Sequence, residues 1–187
     1  MEKLIVVIEG PSGVGKDSII QGLINKYGIY KKMPSVTTRE MRPTESQGNP
    51  YFFVSVEQFK KKIKNGDVFE HTMRHGTYRG MSHALIKEIF DAGLIPLKDA
   101  DIVGIKALKR SYQGKVLTIF VKTTREQVKA RLLNRGDGAQ DIDVRLKDFD
   151  FMMQFESEFD FSVENIYLNE TIDKVHEIIQ NYLKELS

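Results

Sequence analysis

The chain of 187 residues has no cysteine, no tryptophan and only five prolines. Without thiols there is no disulfide, no thiolate nucleophile and no cysteine-bound metal. A reducing compartment is permitted, and a cytoplasmic location is expected. An excess of charge is also missing: 28 Lys and Arg against 26 Asp and Glu leave a formal net charge of +2. That balance gives no reason to expect a nucleic-acid or membrane partner. No apolar run approaches the ~20 residues of a bilayer-spanning helix. The opening MEKLIVVIEG is expected to be too short for a signal-peptide core with its cleavage site. Histidine is scarce, and His71, His75, His83 and His176 show no metal-ligand spacing. There is no internal repeat and no low-complexity tract. The composition is otherwise that of a globular protein, 41% hydrophobic and 29% charged, with the length of one domain and enough chain to bury a core.

Residues 4–8 form a continuous apolar, largely β-branched run of the kind buried on both faces of a parallel sheet. GPSGVGKDSI follows at 10–19, and Ile19, Ile20, Leu23, Ile24 and Tyr27 give helical period over about 15–27. GNPYFFVSV reads as loop into strand, and VEQFKKKIKNG as a short helix closed by Gly66. KKK at 60–62 reads as a solvated helix face. VFEHTMRHGTYRG reads as short strands with turns, and 82–91 as a helix with Ser82 at its N-cap and Gly93 at its stop. LIPLKDAD is a strand weakened by Pro96. A helix over 102–111, the strand KVLTIFV, the helices TREQVKARLLNRG and QDIDVRLKDFDFMMQF, the strand FDFSVEN and a closing helix over 171–186 complete the chain. Strands alternating with helices predict an α/β fold, a parallel sheet flanked by helices, with a core of about 1–33 and 84–187. Residues 34–83 break that rhythm and read as an inserted lobe.

Gly10-x-x-x-x-Gly15-Lys16 after a buried strand and before a helix has the context of a phosphate-cradling loop. Its glycines let backbone N–H groups face phosphate oxygens, and the helix N-terminus adds its positive end. Lys16 would reach the β and γ phosphates of a nucleotide. Asp17 stands where the motif has Ser or Thr. A carboxylate about 4 Å from a phosphate charge is repelled by roughly 4 kcal/mol at a protein-like dielectric. Asp17 is therefore a magnesium ligand, direct or through water, or it is turned away with Ser18 serving nearby, or the loop has lost triphosphate binding.

SVTTREMRP at 35–43 sets Arg39 and Arg42 three apart beside hydroxyls, a spacing that suits an anionic phosphate. With GPSGVGK, YFFVS at 51–55 and DADIVG at 99–104 in order, the chain resembles the guanylate kinase family along nearly its whole length. The resemblance implies a P-loop NTPase-type sheet, an inserted monophosphate-binding lobe and a helical lid over about 134–147. It implies ATP-dependent phosphorylation of GMP with magnesium, ATP and GMP being the partners. Gly10, Ser12, Gly13, Gly15, Lys16, Asp17, Ser18 and Asn165 would hold ATP. Arg39, Arg42 and Tyr51 would grip the acceptor phosphate. Ser35 would read the guanine carbonyl, and Glu70 the ring N–H and exocyclic amine. Asp101 supplies a second carboxylate near the base, and Asp99 joins Asp17 near the metal. Arg131, Arg135 and Arg145 match the lid arginines and, with Lys16 and Arg39, make up the expected catalytic set. Two positions depart from the family pattern: Arg79 replaces a tyrosine at the acceptor phosphate, and Met81 replaces a hydroxyl near the base. Lys98 and Pro96 sit in what the pattern makes a plain apolar strand.

Two other readings stay open on sequence. Ribose 1,5-bisphosphate phosphokinases resemble this chain in the string GPSGxGKDS, with Asp after Lys, but generally lack the complete arginine and guanine-reading set. Guanylate-kinase-like domains of membrane scaffolds keep the fold as binding modules, having typically lost the loop lysine and lid arginines that are present here.

Overall fold

The apolar run near the N-terminus becomes β1 (Ile5–Glu9), which leads through the glycine loop into α1 (Lys16–Tyr27). After β2 (Tyr30–Lys32) come β3 (Ser35–Thr37), β4 (Tyr51–Phe53), α2 (Val56–Lys64), β5 (Val68–Arg74) and β6 (Thr77–Ser82). The chain continues through α3 (His83–Asp91), β7 (Ile95–Lys98), α4 (Ile102–Ser111), β8 (Val116–Lys122), α5 (Arg125–Asn134) and α6 (Ala139–Met152). A 3-10 turn (Met153–Glu158), β9 (Phe161–Glu164) and α7 (Leu168–Leu186) complete it. This computed structural model describes residues 3–186; Met1 and Glu2 of the apolar start, and Ser187, lie outside the described residues.

Two sheets form. The first is five-stranded, in the order β2-β7-β1-β8-β9, with every pairing parallel. β1 lies at its centre, which explains why Ile5, Val6, Val7 and Ile8 are buried without alternation. Val6 and Ile8 pack with α1, α5, α6 and α7 on one face, while Ile5 and Val7 pack with α3 and α4 on the other. Gly22 of α1 has no Cβ because one would stand 2.2 Å from Ile172 Cδ1, so α7 lies close against α1 there. The glycine loop leaves the carboxyl end of the central strand, where open parallel sheets bind ligands.

The second sheet, β4-β3-β6-β5, mixes a parallel β3/β4 pair with antiparallel β3/β6 and β5/β6 pairs. Its own small core is Val36, Phe59, Val68 and Leu85, with Phe52, Val54, Ile63 and Tyr78 against it. Phe59 comes from α2, whose start is fixed by a capping box between Ser55 and Gln58. Lys60 and Lys61 are exposed as expected, while Lys62 is half-buried against Asp67 at 2.8 Å.

Three details differ from the sequence reading. Pro96 is tolerated inside β7 because pairing with β1 starts one residue later, at Val6–Leu97, while the N–H of Ile95 bonds to Ile29. The long helix expected over 140–155 ends at Met152 and tightens into the 3-10 turn. The closing helix begins at Leu168, three residues early.

Phe59→Ala should lower unfolding free energy in urea by about 3–5 kcal/mol, because the small second core cannot close the cavity. Lys60→Ala on the same helix should stay within about 0.5 kcal/mol of the parent.

Candidate active site

The glycine loop is held in shape by close packing from elements far along the chain. A Cβ on Gly10 would meet the Val121 carbonyl of β8 at 2.0 Å, and a Cβ on Gly15, at φ 99°, would stand 2.6 Å from Asn165 Nδ2. The Val14 carbonyl accepts twice, from Asn165 Nδ2 at 2.7 Å and from Arg131 at 2.9 Å. Arg131 also donates to the Asn165 carbonyl at 2.8 Å, so it ties the loop to the end of β9. The carbonyl partner fixes which way the Asn165 amide faces. The buried Asn165 Oδ1 has no protein partner among the described residues.

Lys16 folds back over this loop. Its ammonium donates to the Gly10 carbonyl and, at 3.2 Å, to the Pro11 carbonyl, with Glu9 Oε1 at 3.4 Å. Burial raises the Glu9 pKa against the opposing charge of Lys16, and Asp99 adds to the rise. Arg145 reaches the loop from α6 and donates to Ser12 Oγ at 2.6 Å. Arg135 stays outside: both it and Arg145 pair with Asp137, at 2.5 Å and 3.2 Å. The hydrogen bond from Arg135 holds the Asp137 carboxyl below its ordinary pKa.

Asp17 lies on the exposed first turn of α1, its side chain 85% exposed, and pairs with Lys32 of β2 at 2.8 Å. Burial opposes charge on Lys32. Even so, the Asp17 hydrogen bond and the charges of Asp99 and Asp17 raise its pKa. A cation is thus favoured next to both carboxylates. Ser18 is exposed beside Asp17.

Next to the loop, the second sheet and the end of β7 enclose a cleft of about 530 Å³. Its floor and walls include Lys32, Ser35, Arg39, Tyr51, Glu70, Arg79, Met81, Lys98, Asp99 and Asp101. Ser35 and Tyr51 are neighbours because β3 and β4 run parallel in that register. The Tyr51 ring lies near two guanidiniums, Arg39 with its Cζ 5.4 Å and Arg79 with its Cζ 4.6 Å from the centroid. Arg39 is further clamped by both oxygens of Glu45, at 2.7 and 2.8 Å. Glu70 faces Met81 across the β5/β6 pair. Burial raises its pKa, and Asp101 nearby adds to that. Asp101 caps α4, accepting from the Gly104 N–H at 2.9 Å. Asp99 is half-exposed where β7 ends, 4.0 Å from Lys98.

The expected residues therefore gather into two neighbouring groups. Gly10, Ser12, Gly13, Gly15, Lys16, Arg131, Arg145 and Asn165 meet at the loop, and Ser35, Arg39, Tyr51, Glu70, Arg79, Asp99 and Asp101 meet at the cleft. Arg42 stays exposed on its loop, with its backbone N–H on Glu45 at 2.9 Å, and does not line the cleft. The acidic partners Glu9, Glu45 and Asp137 and the lysines Lys32 and Lys98 were not assigned roles from sequence. Glu9 was visible as a charge at the end of an apolar strand, and Lys98 as a charge inside one. Among the described residues no group of three or more His, Asp or Glu side chains could hold a metal ion alone.

The guanylate kinase family model matches residues 1–182. The chain is 30% identical to the guanylate kinase of Thermotoga maritima, over 97% of this chain and 88% of that one. It is 34% identical to that of Mesomycoplasma hyopneumoniae, over 99% and 98%. The crystal structure of guanylate kinase from Anaplasma phagocytophilum superposes with a TM-score of 0.69 at 26% identity, covering 95% of this chain and 85% of that one. With the glycine loop, the facing cleft and the arginines of α5 and α6 in place, the chain belongs to the guanylate kinase family.

Proposed function

We propose that this protein transfers the γ-phosphoryl group of ATP to GMP, giving ADP and GDP, and that it does so in the cytoplasm, where both nucleotides occur. The observation that carries this reading is the polarity of the cleft. Arg39 and Arg79 flank Tyr51, and Ser35, Glu70 and Asp101 line the same cleft as neutral and acidic readers. A nucleoside monophosphate has that same polarity, an anion at one end and a hydrogen-bonding base at the other. The Glu70 carboxylate accepts two hydrogen bonds from the ring N–H and exocyclic amine of guanine, which adenine does not present together. Arg39, Arg79 and Tyr51 grip the phosphate. Arg42 joins them when the loop that carries it closes.

Loop N–H groups and Lys16 take the β and γ phosphates of ATP, with Lys16 leaving the carbonyls it now holds. Asn165 lies on the adenine side. Arg131, Arg135 and Arg145 close over the transferring group as the lid comes down, and Arg135 and Arg145 exchange Asp137 for phosphate oxygens. The acceptor is already an anion, so no general base is needed. Closure excludes water, which would otherwise take the phosphoryl group. Magnesium would suit the carboxylates at the loop mouth, since a hard cation takes carboxylate oxygens directly or through its waters and would take the place on Asp17 that Lys32 now holds. Asp17 and Asp99 would hold it, and it would neutralise charge on the phosphates. The acceptor lobe over 34–83 and the lid over 134–147 are the moving parts of this scheme, against a core of about 1–33 and 84–187. A ribose bisphosphate acceptor would place a second phosphate against the Glu70 carboxylate, which disfavours that alternative.

An ADP-release assay with GMP, dGMP, AMP and ribose 1,5-bisphosphate should give the highest kcat/KM with GMP; equal or better turnover of ribose 1,5-bisphosphate would overturn the proposal. Lys16→Ala should lower kcat by roughly 10²–10³, the cost of losing one preorganised donor. Asp17→Ser should retain or raise magnesium-dependent turnover, because a hydroxyl is what the motif ordinarily offers at this position. Loss of turnover by a folded Asp17→Ser protein would show that the carboxylate itself is required.

A further inference from the structure

Lys98 is a buried lysine that the phosphoryl-transfer scheme does not use: burial pushes its pKa down, while the charges of Asp99 and Glu70 favour the ammonium. It is only 7% exposed, in a strand where an apolar residue was expected, and it lines the cleft between the loop mouth and the base readers. No carboxylate closes on it: Asp99 is the nearest paired acid, at 4.0 Å. Its short contact is instead to a neutral group, Ser35 Oγ at 2.7 Å, with the Met33 carbonyl at 3.4 Å. Burying an ammonium on a hydroxyl is a costly arrangement for a strand that needs only packing.

The chemistry of the pair has a direction. An ammonium has donors and no lone pair, whereas a serine hydroxyl both donates and accepts. Lys98 fills one lone pair of Ser35 Oγ and sets a positive charge directly behind that oxygen. The serine proton has no protein acceptor among the described residues, and the remaining open side of the pair is the cleft. A ligand atom reaching Ser35 therefore meets a proton in a positive local field. A carbonyl oxygen is attracted there, and an amino group is repelled.

We propose that Lys98 is a specificity-determining positioning residue: by donating to Ser35 Oγ it turns that hydroxyl into a donor, so that the cleft takes a purine monophosphate with a carbonyl, and not an amine, at ring position 6. This rests on the GMP-kinase reading above. It assigns the two halves of base recognition to separate side chains, the position-6 group to the Lys98–Ser35 pair and the ring N–H with the position-2 amine to Glu70. It also supplies a reader of the 6-carbonyl in a chain where Met81 brings a thioether to the base end of the cleft.

The test compares kcat/KM for GMP, IMP and 2,6-diaminopurine riboside 5′-monophosphate. GMP and IMP share the 6-carbonyl and differ at position 2. The diaminopurine compound keeps the 2-amine, carries an amine at position 6 and lacks the ring N–H that Glu70 reads, a loss that is the same in the parent and in Lys98→Met. Lys98→Met, close in shape but without a donor, should reduce the preference for GMP over the diaminopurine nucleotide by about tenfold or more, as expected when a buried hydrogen-bonding mismatch is relieved. The GMP-to-IMP ratio should stay within about threefold, since it is set elsewhere. Ser35→Ala should produce the same loss of position-6 preference, and adding Lys98→Met to it should change the ratio no further. An unchanged preference in folded Lys98→Met, or equal changes in both ratios, would overturn the inference while leaving GMP phosphorylation standing. Failure of the unmodified protein to phosphorylate GMP would overturn both.

Discussion

Positive groups crowded around a glycine loop and the cleft beside it repel each other, and this constraint shapes the candidate site. Phosphoryl transfer needs cations around the transferred oxygens, yet without nucleotide those cations must be stable as neighbours. The protein meets this by giving each an internal partner. Lys16 rests on the Gly10 and Pro11 carbonyls beside Glu9, Arg131 on the Val14 and Asn165 carbonyls, Arg39 on Glu45, and Arg135 and Arg145 on Asp137. These contacts lie mostly at partly exposed positions, where solvent screens an ion pair. Such a pair is strong enough to order a side chain and weak enough for a phosphate to displace.

The same constraint explains Asp17. In isolation a carboxylate beside the phosphate loop is a liability, but in the fold it belongs to Lys32, which also feels Asp99. Lys32 therefore offsets carboxylate charge at this corner. The cleft follows a related rule, with basic residues around Tyr51 and acidic ones towards Asp101, so that a polar ligand has one favoured direction of entry.

Local chemistry was legible in the sequence wherever it is written in consecutive residues. The unbroken apolar run made β1 a central strand, the glycine spacing placed the loop, Ser82 marked the start of α3, and ordered motifs assembled the cleft from Ser35, Tyr51 and Glu70. Pairings across long separations were not legible. Nothing near Asp137, in the turn between α5 and α6, says that it will hold Arg145 as well as Arg135, and Lys32 and Asp17 meet only because β2 runs alongside the start of α1. Lys98 was visible as an anomaly in an apolar strand, but its partner Ser35 is 63 residues away. The early start of α7 and the early end of α6 are boundary effects, set by packing against neighbours and by the tight turn at 153–158.

The double hydrogen bond on the Val14 carbonyl has a consequence for the order in which the molecule is completed. Its donors, Arg131 and Asn165, lie 117 and 151 residues downstream. The glycine motif is made well before the contacts that set its curvature. A nascent chain holds the motif long before it holds a nucleotide site, and the loop takes its working shape only when the strand ending at Glu164 joins the sheet.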